Sequence, residues 1–254
     1  MAENTVYVIT GGNRGIGLGI IKSLLARPST TVVASVRNAE AAAGLKAEDV
    51  SLAAGSQLHI AILDFSEAIP PAKVLESFEA ATAGTVDHVD VLINNAGVCP
   101  PLTSAVETTA ENLRTSFETN AIAPLLVFQG LWSLLQKSRT GAPKVINVSS
   151  TVGGIGAQEP VPGGGYGASK AALNWITRSL HIQNEASGLV AVALHPGWVQ
   201  TRNGDIAAKA WGYAPGPPMT IDDSVAGMLK VIDEASRDKF SGQFVLPTGD
   251  IWPW

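Results

Sequence analysis

TVYVITGGNRGIGLG, from Thr5 to Gly19, joins a short apolar run to a glycine-rich turn and the start of an amphipathic helical pattern. Glycine lets a backbone turn tightly and approach another group closely. A buried strand that leads through such a turn into a helix is a typical first unit of an alternating strand–helix chain. The stretch therefore predicts an α/β fold with a doubly wound parallel sheet and helices on both faces.

The rest of the chain repeats this alternation. Near-continuous Val, Ile and Leu runs are typical of strands buried on both faces of a parallel sheet. Strands are predicted at Thr5–Thr10, Thr31–Val36, Leu58–Leu63, Val89–Ile93, Lys144–Val148, Leu189–Leu194 and Gln243–Leu246. Helices are predicted at Gly15–Ala26, Pro70–Ala83, Glu111–Lys137, Tyr166–Ala186 and Ile221–Ala235, with a short one within Ala39–Ser56. The sequence has no convincing linker, so residues 1–254 are predicted to form one domain.

Composition excludes several classes of protein. Hydrophobic residues make up 46% of the 254 residues and charged residues 15%, which excludes a disordered or coiled-coil chain. The single cysteine, Cys99, excludes a disulfide framework, and no His, Asp, Glu or Cys spacing indicates a metal site. A net charge of −5 gives no sign of nucleic-acid binding. No apolar run reaches the roughly 20 residues of a membrane span, and Met1–Thr5 carry no basic signal segment, so we expect a cytoplasmic protein.

The glycine-rich turn is suited to hold a phosphate group, because the helix after it offers free N–H groups and a positive dipole end. The spacing of Gly11, Gly15 and Gly17 also fits an ordinary tight turn, but the strand before it and the helix after it favour a dinucleotide. NAD sites usually carry an acid about 20 residues further on. The second strand here ends in Arg37 instead, and Arg14 lies in the turn. Two guanidinium groups suit the 2′-phosphate of NADP(H). We favour this interpretation over the alternative that both arginines are merely solvated.

Tyr166 and Lys170 are four residues apart and share one face of a predicted helix. A nearby cation lowers the pKa of a phenol by about 1–3, which would make Tyr166 a proton donor or acceptor. Such pairs are also common on helix surfaces. The catalytic interpretation gains support because Ser149-Ser150 and Asn94–Gly97 follow strands that end at the same edge of the sheet.

Asn120 lies in a long apolar helix, where an asparagine side chain needs a partner. Pro124, four residues later, has no N–H to give to the Asn120 carbonyl. Two interpretations stay open. The helix kinks at the proline, or Asn120 anchors a water beside Lys170 as one step of a proton relay.

Together these motifs resemble the short-chain dehydrogenase/reductase family. The resemblance rests on Thr10-Gly11-x-x-x-Gly15-x-Gly17, Asn94-Asn95-Ala96-Gly97, Asn120, Ser150, Tyr166-x-x-x-Lys170 and Pro196-Gly197. It covers essentially the whole chain and implies a Rossmann fold with a seven-stranded parallel sheet in the order 3-2-1-4-5-6-7. The end of the chain, which reads Trp252-Pro253-Trp254, is also similar to fungal ketoreductases of the norsolorinic acid reductase type, which reduce ketones on aromatic polyketides in secondary metabolism.

The resemblance implies a catalytic role for four residues. Tyr166 would be the general acid in ketone reduction or the base in the reverse direction, and Ser150 would polarise the substrate oxygen. Lys170 would bind the nicotinamide ribose and lower the pKa of Tyr166. Asn120 would hold the relay water.

The resemblance also implies a set of cofactor-binding residues for NADPH or NADP+. Asp64 would contact the adenine and Thr201 the carboxamide. The full set is Gly11, Asn13, Arg14, Gly15, Ile16, Gly17, Arg37, Asp64, Asn94, Ala96, Gly97, Tyr166, Lys170, Pro196, Gly197, Val199 and Thr201.

The segment 195–219 is rich in glycine and proline and is a candidate lid over the substrate. Its aromatic residues Trp198, Trp211 and Tyr213 are candidates to shape a pocket for a bulky or aromatic ketone. Alternatively they pack the loop onto the body of the protein, which we favour for Trp198.

The expected function is an NADPH-dependent carbonyl reductase that acts on a small-molecule ketone, with no nucleic-acid or membrane partner. An NADP-linked alcohol dehydrogenase running in the oxidative direction and a non-catalytic NADP(H)-sensing protein are the alternatives. The complete set of Ser150, Tyr166, Lys170 and Asn120 speaks against a sensor, because a pure binder has no need for a proton donor. The resemblance further implies a homotetramer or homodimer.

Overall fold

The apolar runs of the sequence form the strands of one central sheet. The computed structural model describes residues 4–254, so most of the segment Met1–Thr5 lies outside the described residues. The strands are β1 Thr5–Thr10, β2 Thr30–Val36, β3 Gln57–Ile62, β4 Val91–Asn94, β5 Lys144–Val148, β6 Val190–Leu194, β7 Phe244–Val245 and β8 Ile251–Trp252.

The strand order is β3-β2-β1-β4-β5-β6-β7-β8, which places β1 and β4 near the centre. β1 to β7 are parallel to their neighbours, and Val8, for example, pairs with Val33 of β2 and Leu92 of β4. The predicted order of these strands is confirmed. The predicted count of seven is wrong, because β8 adds an antiparallel edge strand in which Trp252 pairs with Phe244. Two residues are too few to show a strand periodicity in the sequence.

Helices cover both faces of the sheet. They are α1 Gly15–Leu25, α2 Ala39–Ala47, α3 Pro71–Thr82, α4 Ala110–Phe117, α5 Ala123–Leu135, α6 Gly164–Gln183, α7 Arg202–Ala210 and α8 Ile221–Glu234. α1 and α8 share one apolar layer with the sheet, and α3 and α5 share the other. None of the helices within residues 4–254 is long and apolar enough to cross a membrane.

The predicted helix Glu111–Lys137 is not one α-helix. A π-helical segment, Glu118–Ile122, separates α4 from α5, and the N–H of Ala123 bonds to the carbonyl of Glu118 five residues before it. The cause lies in Pro124, which lacks an N–H and whose ring would collide with the Asn120 carbonyl in a regular helix. π-Helical segments are rare and frequently occur at functional sites.

The helix α7 lies within the candidate lid, where the sequence analysis expected a loop. Thr201 caps it by accepting a hydrogen bond from the N–H of Gly204 at 3.2 Å. The helix is only nine residues long, buries the small side chains of Ala207 and Ala208, and contains a glycine. These features weaken the helical pattern in the sequence.

Close packing of α5 against α3 depends on Gly130. A Cβ at this position would stand 2.5 Å from the carbonyl oxygen of Pro71 and 2.8 Å from the Cβ of Val74. We expect Gly130→Ala to lower the free energy of unfolding by about 1–3 kcal/mol, because α5 must shift to admit the methyl group. Urea denaturation measures this change.

Gly44 provides the matched control, because it lies in α2 and a Cβ there would meet no other helix, strand or loop within 4 Å. Gly44→Ala should raise the free energy of unfolding by about 0.5–1 kcal/mol through helix propensity alone. Equal effects of the two substitutions would contradict the packing role of Gly130.

Candidate active site

The carboxyl ends of the central parallel strands open onto one cavity of about 950 Å³. Open α/β sheets bind ligands at this edge, where the strand order reverses between β1 and β4. The glycine-rich turn, the start of α7 and Trp252 all line this cavity. The first turn of α6, which carries Tyr166, forms part of the wall.

The glycine residues of the turn make room that side chains would fill. Gly11 and Gly15 have left-handed backbone angles, with φ of 69° and 55°. A Cβ on Gly11 would stand 2.9 Å from the Cα of Ala96, and one on Gly17 would collide with the carbonyl oxygen of Gly11. This cradle at the N-terminus of α1 fits the diphosphate of a dinucleotide.

Hydrogen bonds between Thr10 and the end of β4 hold the cradle in place. The Thr10 Oγ1 accepts from the N–H groups of Asn95 and Ala96, both at 3.0 Å. In return, the Asn95 Nδ2 donates to the carbonyl oxygens of Thr10 and Gly11, at 2.9 and 3.1 Å. The phosphate cradle and the strand end beside it are therefore one rigid unit.

Charged side chains line the cavity just beyond the ends of β1, β2 and β3. Arg14 and Arg37 are exposed, so both guanidinium groups are accessible to an anion. Asp64 lies beyond β3, and its Oδ1 accepts a hydrogen bond from the N–H of Ser66 at 3.0 Å. This arrangement can bind a phosphorylated ribose and an adenine.

The structure distinguishes the two neighbouring serines. The Ser149 hydroxyl donates to the Oδ1 of Asn174 at 2.6 Å and is buried there. The Ser150 hydroxyl accepts from the N–H of Val152 at 3.3 Å and lies near the phenol of Tyr166 on the cavity wall, where it lowers the pKa of that phenol. Ser150 and Tyr166 can therefore hold one oxygen atom between them.

Burial sets the protonation of the Tyr166–Lys170 pair. Removal from water raises the pKa of Tyr166 above its ordinary value, the negative charge of a Cys99 thiolate would raise it further, and the hydrogen bond from Ser150 lowers it. Burial also lowers the pKa of Lys170 to about 8.

Burial sets the net direction of the Tyr166 pKa shift, and the expectation that Lys170 lowers this pKa stays a prediction. The Lys170 Nζ donates to the carbonyl oxygen of Val148 at 2.8 Å and lies 5.7 Å from the centre of the Tyr166 ring. At this distance and with a backbone partner, the ammonium does not offset the loss of hydration of the phenol.

Asn120 joins three parts of the site. Its Oδ1 accepts from the N–H of Val98, and its Nδ2 donates to the Val98 carbonyl, both at 2.9 Å. The Nδ2 also donates to the Ser169 Oγ at 3.0 Å, which in turn donates to the carbonyl of Tyr166. Asn120 thus fixes the loop after β4 against the first turn of α6. Its role in a water relay stays a prediction.

One predicted cofactor residue does not line the cavity. The Asn94 Nδ2 donates to the Oδ1 of Asn147 at 2.8 Å and to the carbonyl of Pro124 at 3.3 Å, inside the protein. Because side chains alternate along a strand, its neighbour Asn95 reaches the cavity instead. The other predicted residues on the cavity wall are Gly11, Asn13, Arg14, Gly15, Ile16, Gly17, Arg37, Asp64, Ala96, Gly97, Tyr166, Lys170, Pro196, Gly197, Val199 and Thr201.

Two of the three predicted lid aromatics line the cavity. Trp198 and Trp211 meet edge to face with ring centres 5.4 Å apart, and the Trp211 Nε1 donates to the carbonyl of Pro162 at 3.0 Å. Tyr213 packs on the Trp198 ring at 5.0 Å but does not line the cavity. Its role as a substrate residue stays a prediction.

The sequence analysis missed several apolar residues of the wall and left Trp252 unplaced. Leu102 lies in a loop and Val152 in the single 3₁₀ turn Thr151–Gly153, and Leu246 and Trp252 belong to the short hairpin around β8. His195 follows β6 and also lines the cavity, where burial lowers the pKa of its imidazole to about 4. In the sequence, the position of His195 directly after a predicted strand was the only indication that it lies on the cavity wall.

Comparisons with known proteins agree with this arrangement. The family model for short chain dehydrogenase matches residues 5–209. The chain is 39% identical over 262 residues to a short-chain dehydrogenase of Pyricularia oryzae, with 100% of each chain covered. It is 35% identical over 255 residues to the norsolorinic acid ketoreductase of Aspergillus parasiticus, covering 99% of this chain and 92% of the relative.

A solved structure is similar over the whole length. The NADPH-bound carbonyl reductase from chicken fatty liver superimposes with a TM-score of 0.81 and 31% identity, covering 100% of both chains. The fold, the placement of the motif residues around one cavity and the full-length similarity agree. This chain belongs to the short-chain dehydrogenase family and is an oxidoreductase.

Proposed function

We propose that the protein is an NADPH-dependent carbonyl reductase that converts a bulky aromatic ketone to a secondary alcohol. The observation that carries the proposal is that Ser150, Tyr166 and Lys170 line the wall of one cavity that also contains the phosphate cradle. Similarity to the norsolorinic acid ketoreductase and to the NADPH-bound carbonyl reductase supports it.

NADPH is the cofactor that the charged residues favour. When bound, it would supply the hydride that adds to the ketone carbon. Where NAD sites place an acid, β2 leads into Arg37, and Arg14 lies in the cradle on the same cavity wall. Two accessible guanidinium groups suit a 2′-phosphate, which carries charge that the 2′-hydroxyl of NADH lacks.

The proton comes from Tyr166. Because burial raises its pKa, the phenol is protonated at neutral pH and is ready to donate to the oxygen of a ketone. Ser150 holds that same oxygen and fixes its distance from the phenol. Oxidation of an alcohol would need the phenolate as base, a form that burial disfavours at neutral pH.

The apolar residues of the cavity wall favour an aromatic substrate. Trp198, Trp211 and Trp252 line the cavity, as do the apolar side chains of Leu102 and Val152. Large flat rings bury well against such side chains and gain from offset or edge-to-face contacts. A polycyclic ketone fits this cavity better than a small aliphatic one.

We also propose that copies of the chain associate as a homodimer or homotetramer. Trp175 and Ile182 project from α6 and are 70% and 60% exposed, and Ile122 of the π-helical segment is 40% exposed. Large apolar side chains that stand exposed on one helix in this way favour association.

Oxidation of NADPH in the presence of a ketone tests the proposal directly. We expect turnover with polycyclic aromatic ketones and a loss of about 10²–10⁴-fold in Tyr166→Phe, because the proton donor is removed. NADPH binding, measured by fluorescence, should survive the substitution. Turnover that persists in Tyr166→Phe, or none in the wild type with any ketone, would contradict the proposal.

The two serines provide a matched pair. Ser150→Ala should lower kcat by about 10²-fold or more, because the substrate oxygen loses a hydrogen-bond donor. Ser149→Ala should leave kcat near the wild-type value. It should lower the free energy of unfolding by about 1 kcal/mol, because the Oδ1 of Asn174 loses the hydrogen bond from Ser149. Steady-state kinetics and urea denaturation separate the two effects, and equal losses of kcat would refute the assignment.

Arg37 tests the cofactor preference. Arg37→Asp replaces the cation with an acid that repels the 2′-phosphate and can accept from a 2′-hydroxyl, so the ratio of kcat/KM for NADPH to that for NADH should fall by about tenfold or more. Arg202 is exposed and also lines the cavity, so the same substitution at Arg202 is the control for a change of charge on the cavity wall. An unchanged ratio in Arg37→Asp would show that the preference is set elsewhere.

A further inference from the structure

Among the described residues, the lysine and arginine side chains on the cavity wall are Arg14, Arg37, Lys170 and Arg202. Arg14 and Arg37 suit the 2′-phosphate of NADPH, and the Lys170 Nζ donates to the carbonyl oxygen of Val148. Arg202 is exposed, and its guanidinium group makes no hydrogen bond or ion pair with any residue that the structure describes. This guanidinium group is therefore available to a ligand in the cavity.

The start of α7 places Arg202 beside the glycine-rich cradle. Arg202 follows Thr201, the cap of α7, and the Thr201 Cγ2 lies 3.5 Å from the point where a Cβ on Gly15 would stand. Because Gly15 is the first residue of α1, the first residues of the two helices meet at the cradle. Side chains in a helix lean toward its N-terminus, which directs Arg202 toward the cradle.

The backbone around Arg202 is held in place by several hydrogen bonds. The Thr201 Oγ1 accepts from the N–H of Gly204 at 3.2 Å, and the Thr201 carbonyl oxygen accepts from the N–H of Asp205 at 2.9 Å. The Trp198 Nε1 donates to the carbonyl oxygen of Gly204 at 3.1 Å. Because the backbone is already fixed, only the Arg202 side chain loses conformational freedom when it binds a ligand.

The diphosphate is the part of the cofactor that has no cation assigned to it. It carries a negative charge on each phosphate, and the cradle offers it backbone N–H groups and a helix N-terminus. Guanidinium groups form strong paired hydrogen bonds with phosphate oxygens. The acidic residues described on the cavity wall are Glu40, Asp64 and Glu159. None of them forms an ion pair with Arg202 that would compete with a phosphate.

We propose that Arg202 binds the diphosphate of the dinucleotide and thereby fastens the start of α7 to the cofactor. The inference rests on the proposed function, which supplies the cofactor, and deepens it by dividing the arginines between two phosphate groups. Arg37 discriminates NADPH from NADH at the 2′-phosphate. Arg202 strengthens the binding of both cofactors equally, because both contain the diphosphate.

Two fragments of the cofactor separate these roles. ADP-ribose has the diphosphate and lacks the 2′-phosphate, whereas 2′-AMP has the 2′-phosphate and lacks the diphosphate. Arg202→Gln should raise the Kd for ADP-ribose about tenfold, because a charge-assisted pair is lost. It should leave the Kd for 2′-AMP within about twofold of the wild-type value. Arg37→Gln should show the opposite pattern, and calorimetry on the protein without a ketone measures each Kd.

Two further variants test whether the effect is transmitted through the structure of α7. Lys209→Gln removes a positive charge from the last turn of the same helix, and Lys209 is exposed and does not line the cavity. This substitution should leave the Kd for both fragments unchanged. Arg202→Lys keeps the charge and should recover most of the lost affinity for ADP-ribose, because lysine also binds phosphate.

Three results for the variants would overturn the inference. Arg202→Gln leaves the Kd for ADP-ribose unchanged, it raises the Kd for both fragments alike, or Lys209→Gln has the same effect as Arg202→Gln. Failure of the wild type to bind ADP-ribose would overturn the inference as well.

The binding results are separate from the turnover that tests the proposed function. If no ketone is reduced but the expected pattern of Kd values is present, the proposed function is refuted and the inference stands. If ketones are reduced but Arg202→Gln leaves the Kd for ADP-ribose unchanged, the inference is refuted and the proposed function stands.

Discussion

The structure depends on pairing the polar side chains that are buried at the carboxyl edge of the sheet. Lys170, which is only 4% exposed, is held by the carbonyl oxygen of Val148. Asn120, which is fully buried, is held by Val98 and Ser169. A buried polar group without a partner is costly, so these bonds fix the first turn of α6 against the ends of β4 and β5. The hydrogen bonds that satisfy these buried polar groups therefore also position the reacting groups.

The same burial determines the chemistry. It keeps the proton on Tyr166, while Ser150 supplies the one hydrogen bond that opposes this effect. On the other side of the cavity, Gly11 and Gly17 leave open the space in which a dinucleotide can approach the backbone. A protonated phenol that faces a cofactor cradle is what ketone reduction requires. Under the proposed function, Trp198 and Trp211 on the cavity wall would restrict which ketones reach it.

Much of this arrangement could be predicted from local sequence patterns. The strand, turn and helix around Gly15 and the pair Tyr166 and Lys170 are each set by short-range spacing, and the order of β1 to β7 follows from the resemblance that those motifs carry. Features that depend on tertiary packing could not be predicted. They include the π-helical segment before Pro124, the two-residue strand β8 and the direction of the Tyr166 pKa, because burial is not visible in a spacing.

The central claim, that burial keeps Tyr166 protonated in the free protein, is tested most directly by titrating its phenol. The chain has three tyrosines, so the ultraviolet absorbance of Tyr166→Phe subtracted from that of the wild type isolates one of them. We expect no ionisation of Tyr166 below a pH of about 10, the ordinary pKa of a tyrosine, because a raised pKa means that the proton leaves only at higher pH. An ionisation between pH about 7 and 9 would contradict the account. It would show that Lys170 outweighs burial at this site.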